Sequence, residues 1–190
     1  MDTQISTKPI TSFPISPEAF WAAFSERLRS DWLMPEKRLP ELFNVSWTSY
    51  IIPLLCDLSS TFSCFPDVEY GPRLDVAYFD RGQTPDWDEW AMEAAIEHEN
   101  NVFWQEELCK LLLVNAGLKV LIAYSEYEKE YRERLNQFVD IHKSRKYNTS
   151  GCGWLFIIGP RLIPASHDFL AFKFDGEGIV DITNGSKIIL

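Results

Sequence analysis

The sequence predicts an α/β protein whose mixed β-sheet is flanked by helices. Three observations predict it. Continuous apolar runs of strand length recur from the middle of the chain onward, the clearest being LKVLIAY at 118–124. Helical stretches separate those runs, read from apolar residues at helical spacing over 101–116 and from opposite charges scattered along 126–142. Turn residues such as Gly71-Pro72 punctuate them. With 190 residues, 46% of them hydrophobic and 24% charged, the chain has the size and composition of one ordinary globular domain with a real core.

Residues 1–16 are polar and carry Pro9 and Pro14, so they read as an N-terminal arm, with a single domain over 17–190. The segment MDTQISTKPITSFPIS lacks a basic start followed by an apolar stretch and does not read as a signal peptide. Ser16-Pro17-Glu18 opens a first helix, with Ser16 as N-cap and Pro17 at the first helical position. Phe20, Phe24 and Leu28 form its apolar stripe, with Trp21 on the flank. A second helix is expected over about 45–58, where Trp47, Tyr50, Ile51, Leu54, Leu55 and Leu58 fall at helical spacing and Pro53 blurs the boundaries.

A strand-rich stretch follows. Residues 67–70 and 74–79 flank Gly71-Pro72 as a hairpin. RGQTPDWDEW at 81–90 reads as a polar loop with two tryptophans that more often cap a core than stack on bases. Residues 91–99 read as the next strand, with helix the alternative that their alanines leave open. A helix is expected over 101–116, closed by Gly117, and then the buried strand 118–124. A charged helix over 126–142 carries opposite charges at i,i+4 spacing. Three further strands are expected at 153–158, 169–174 and 179–183. The middle thus runs β-β-β-α-β-α-β, and the helix before strand 118–124 suits a crossover between parallel neighbours.

Composition also bounds function. No apolar run reaches membrane-spanning length, since Lys110, Asn115, Gly117 and Lys119 interrupt the longest. Cys56, Cys64, Cys109 and Cys152 show no C-x-x-C spacing, and they read as reduced structural thiols of a cytoplasmic protein, with Cys109 buried in a helix. The net charge of -10 argues against broad non-specific binding to nucleic acid, though not against a local basic patch such as HKSRK at 142–146. That patch equally suits a helix end complementing its dipole. Phosphate-loop, dinucleotide, nucleophile-elbow and zinc-protease motifs are absent.

The chemistry concentrates elsewhere. Asp75 sits inside the apolar run RLDVAYFD, and Glu97 and Glu99 sit two apart in AIEHENN. On strands, residues two apart share a face, so Glu97 and Glu99 would point one way and Ile96 and His98 the other. Three carboxylates would then converge, an arrangement that a hard divalent cation with oxygen ligands relieves. The plainer alternatives are a solvated or salt-bridged Asp75, a half-exposed polar strand face for the two glutamates, and a packed rather than ligating His98.

Together, an aspartate on a hairpin strand (Leu74-Asp75-Val76), an acidic-x-charged triplet on the next strand (Glu97-His98-Glu99), and a helix leading directly into a hydrophobic strand resemble the PD-(D/E)XK nuclease superfamily. The resemblance covers about 67–124. It implies a restriction-endonuclease-like fold and a Mg²⁺-dependent (or Mn²⁺-dependent) nuclease acting on nucleic acid, with DNA the expected substrate. It also implies that Asp75 and Glu97 hold the metal with the backbone carbonyl of His98, and that Glu99 orients or deprotonates a water. Gln105, on the following helix, is placed beside the metal more loosely. The departures are Glu99 where the family usually has lysine, and Pro72 standing three residues before Asp75. They keep a second expectation open: a catalytically inactive relative of that fold that binds a protein partner.

Overall fold

The computed structural model describes residues 15–33, 47–71, 74–80, 92–100, 104–144, 152–161 and 168–183. Two helices come first, α1 (Pro17–Leu33) and α2 (Trp47–Leu58), followed by a short 3-10 turn (Ser59–Phe62). Seven strands and two more helices follow: β1 (Cys64–Tyr70), β2 (Leu74–Asp80), β3 (Met92–Glu99), α3 (Gln105–Leu113), β4 (Ala116–Tyr124), α4 (Glu128–Ser144), β5 (Gly153–Gly159), β6 (Leu170–Phe174) and β7 (Ile179–Asp181).

α1 starts where its cap requires. Ala19 N–H donates to Ser16 Oγ at 3.1 Å, and Phe20 N–H donates to the Ser16 carbonyl. Phe20, Trp21, Phe24 and Leu28 are buried, as their spacing predicts. In α2, Pro53 stays inside the helix on an exposed position. Ile51, Leu54, Leu55 and Leu58 are buried around it, and this packing outweighs the missing backbone donor.

The seven strands lie in one mixed sheet in sequence order, β1-β2-β3-β4-β5-β6-β7. β1, β2 and β3 form an antiparallel meander. β3, β4 and β5 are parallel, joined through α3 and α4, and β6 and β7 return antiparallel. The fold is therefore α/β, with the expected β-β-β-α-β-α-β order and with 92–99 a strand rather than a helix. Alternation along the strands divides the core in two. Val76, Ile96, Val120 and Ile157 face α1 and α2, whereas Ala77, Ala95, Leu121 and Phe156 face α3 and α4.

Two elements depart from the sequence reading. The helix expected over 101–116 spans Gln105–Leu113, and residues 101–103 lie outside the described set. Val114 is extended (φ -92, ψ 151), so the chain leaves the helix there. Ala116 and Gly117 belong to β4, where Ala116 pairs with Met92, and strand pairing displaces the expected glycine cap. Cys109 is exposed, not buried, because α3 docks on Leu108 and Leu111, and position 109 lies about 100° round the helix from the first and about 160° from the second. Cys64 is buried, Cys56 and Cys152 are half-buried, and none of the four forms a disulfide. Residues 81–91, with both loop tryptophans, and residues 145–146 of the basic cluster lie outside the described set.

Candidate carboxylate site

The site is built where the meander meets the first parallel pair. In the β2–β3 register Val76 pairs with Ile96 and Ala77 with Ala95. One residue further along the same register, Asp75 stands opposite Glu97, and opposed residues on antiparallel strands share a face. Asp75 Oδ2 also accepts the backbone N–H of His98 at 2.7 Å, so a carboxylate takes a donor at the end of the strand pair. The alternation holds through the triplet. Glu97 points to the α3 side, whereas the His98 ring turns to the opposite face, its Nε2 2.8 Å from the Tyr124 hydroxyl.

Glu97 is the anomaly of this region. Its side chain has 0% exposure, and among the described residues neither carboxylate oxygen has a hydrogen-bond partner. Among the described residues its ion-pair partner is Lys110, whose Nζ lies 3.5 Å from Glu97 Oε2 and also contacts Glu107 Oε2. Both residues come from α3, three apart, so they share one side of the helix. A buried carboxylate without donors loses its hydration and answers by binding a proton. Burial, the Glu107 carboxyl against it and the Asp75 charge together push Glu97 up to about 9, with Lys110 only partly opposing. Burial raises Asp75 as well, against the pull of the His98 amide. For Lys110, burial works against the ammonium, but Glu107, Glu97 and Asp75 outweigh it and its pKa is raised.

His98 is a neutral imidazole behind the site. Burial pushes it down to about 4, and burial holds the Tyr124 hydroxyl well above its ordinary range. Trp47 stacks on Tyr124 at 5.3 Å between ring centroids, so α2 supports the strand end that presents the carboxylates.

Of the residues expected from the sequence, Asp75 and Glu97 come together. Glu99 ends β3 on the Glu97 face by alternation and is partly exposed. His98 touches the site through its amide, and Gln105 is exposed at the start of α3. The groups set against Glu97 from α3 are Glu107 and Lys110, which the sequence reading missed. Their signal was an E-x-x-K pair in the helix following the triplet.

The oxygens present are carboxylate oxygens, the kind a hard cation such as Mg²⁺ takes, with Glu97 Oε2 already paired to Lys110. Among the described residues, however, no group of three or more His, Cys, Asp or Glu side chains stands close enough to enclose a metal by itself. Also among the described residues, no helix is long and apolar enough to cross a membrane. Comparison with protein-family models and with curated proteins finds no match.

Proposed function

We propose that the chain is a Mg²⁺-dependent nuclease with a restriction-endonuclease-like fold, hydrolysing nucleic-acid phosphodiesters, those of DNA first, at a D…E-x-E carboxylate site. The observation that carries the reading is Glu97. A fully buried carboxyl whose counter-charge is the Lys110 ammonium at 3.5 Å, facing a second carboxylate from the next strand, is unfavourable in an inert protein and useful in a metal site. The order of elements supports it: an aspartate on a hairpin strand, the acidic triplet on its neighbour, then a helix into a parallel buried strand.

Asp75 and Glu97 would hold the ion, with substrate phosphate and the His98 carbonyl completing a sparse ligand set. Bound Mg²⁺ supplies polarisation of the scissile phosphate and a lowered pKa for the attacking water. Glu99, at the partly exposed strand end, would accept the proton from that water. The His98 amide keeps Asp75 oriented for ligation.

A second reading is a catalytically silent module of the same fold that binds a protein partner. Its support is the Lys110 ammonium already among the carboxylates, glutamate in place of the usual lysine, and the net charge of -10. A cleavage assay of the purified chain on plasmid, single-stranded DNA and RNA, with Mg²⁺ and with EDTA, separates the two. The nuclease reading expects metal-dependent cleavage, a loss of about 10²–10⁴-fold in Glu99→Gln, and no cleavage in Asp75→Asn or Glu97→Gln. Cleavage that survives EDTA, or that persists when all three acids are substituted, would remove it.

A further inference from the structure

We infer that the chain carries a site for a small oxyanion of the phosphate class at the foot of α4, where the Lys119 ammonium and the Trp154 indole N–H are its donors. The site is separate from the carboxylates and does not rest on the nuclease reading.

Among the described residues Lys119 is the one lysine or arginine that is buried, at 3% exposure. Lys110, Lys129 and Lys173 each reach a carboxylate, whereas Lys119 has neither an ion pair nor a hydrogen bond among the described residues. In the ladder it pairs with Ala95 on one side and Trp154 on the other. Its Nζ lies 5.1 Å from the centre of the Trp154 ring. A ring face attracts the charge but neutralises none of it. Trp154 adds a second orphan, since its Nε1 is buried and has no acceptor among the described residues. Two buried donor groups without an acceptor are costly together, and lysine is almost never buried unpaired. Burial lowers the Lys119 pKa, the response of an ammonium without a counter-ion. Cys152, two residues before Trp154, is not that counter-ion: burial raises its thiol above the ordinary value, so it stays neutral.

The surroundings favour an anion. The last turn of α4 carries His142 and Lys143. The His142 ring lies 6.5 Å from the Trp154 ring, centroid to centroid. His142 and Cys152 are half-buried and Lys143 is exposed, so Lys119 lies one layer of side chains below the surface. The helix-end dipole accounts for a cation at this place but not for its burial. A phosphate group has oxygens enough to meet the ammonium and the indole N–H at once, and its charge gains from the two basic residues of the helix end. Such a group comes either free, as inorganic phosphate or a terminal monoester, or as the diester backbone of nucleic acid.

Phosphorus NMR of inorganic phosphate titrated with the full chain at fixed ionic strength tests this, with an unphosphorylated DNA oligonucleotide as competitor. Wild type should bind phosphate saturably. Lys119→Met should weaken binding about tenfold or more, and Trp154→Phe, which keeps a ring and removes the N–H, about threefold. Without phosphate, Lys119→Met should melt no lower than wild type, because it removes an uncompensated buried charge, and it should lose the rise in melting temperature that phosphate gives wild type. Lys119→Gln replaces the Met variant if that fails to fold. Displacement of phosphate by the oligonucleotide would make the nucleic-acid backbone the ligand, and failure to displace it would make the ligand a free or terminal phosphate; both support the site. Absence of saturable binding by wild type, or binding unchanged in folded Lys119 variants, would overturn the inference whatever the cleavage assay shows.

Discussion

A carboxyl group that keeps its proton at neutral pH makes the stability of the whole chain depend on pH, and Glu97 is such a group. Its folded pKa of about 9 lies above an ordinary value near 4.5, so the folded state binds a proton that the unfolded state has released. Stability from this group is full at low pH and is lost as pH rises through that window. His98 acts in the opposite sense. Its folded pKa of about 4 lies below its ordinary 6.5, so stability is lost as pH falls through that interval. Between about 4.5 and 6.5 the two slopes oppose each other, and above 6.5 Glu97 acts with little opposition. Each slope is at most about 1.4 kcal/mol per pH unit. Urea unfolding should therefore show wild type losing stability from pH 7 to 8.5 and Glu97→Gln staying nearly flat there. The same variant should lose stability on acidification below 6.5, where the His98 slope is no longer masked. Parallel curves for the two proteins would show that Glu97 is not the proton-binding group.

At the scale of elements, local signals placed most of the fold and part of the site. The cap at Ser16, the turn at Gly71 (φ 57) and the alternation through Glu97, His98 and Glu99 are short-range facts, and they fixed α1, the hairpin and the facing of the triplet. Removing the cap should be felt accordingly: Ser16→Ala leaves the Ala19 N–H without its side-chain partner and should lower stability by about 1 kcal/mol. Chemical denaturation with unchanged m-value would check it, and a change within error would show the Pro17 start sufficient alone. What the sequence did not disclose is the docking phase of α3. Which helix residues meet the carboxylates depends on how the helix rolls onto the sheet, and each residue of error turns it by about 100°. The resemblance set Gln105 beside the site, and the sequence left unread that Leu108 and Leu111 pack on the sheet, that Glu107 and Lys110 lie against Glu97, and that Cys109 turns to solvent.

The whole molecule is three layers sharing one sheet. Phe24 belongs to the layer under α1 and α2, Phe156 to the layer under α3 and α4, and both are fully buried. Because every central strand contributes to both cores, neither layer can melt alone without exposing the other side of the same strands. Phe24→Ala and Phe156→Ala should each lower a single shared transition by about 3–5 kcal/mol. Near- and far-UV circular dichroism would follow it, and two separated transitions in either variant would show that the layers uncouple.

The uninterrupted succession of strands along the sheet has a consequence in time. Each strand from β2 onward hydrogen-bonds to the one made immediately before it, so no strand waits for a distant segment to be synthesised. The longest intervals between neighbouring strands are those that hold α3 and α4, and each helix draws its two strands together over a short length of chain. Contacts stay local in sequence even though the sheet is mixed, which shortens the loops that must close and favours quick assembly. On the ribosome the sheet can lengthen from β1 towards β7 in the order of translation, with the carboxylate-bearing pair β2–β3 in place before the later strands emerge.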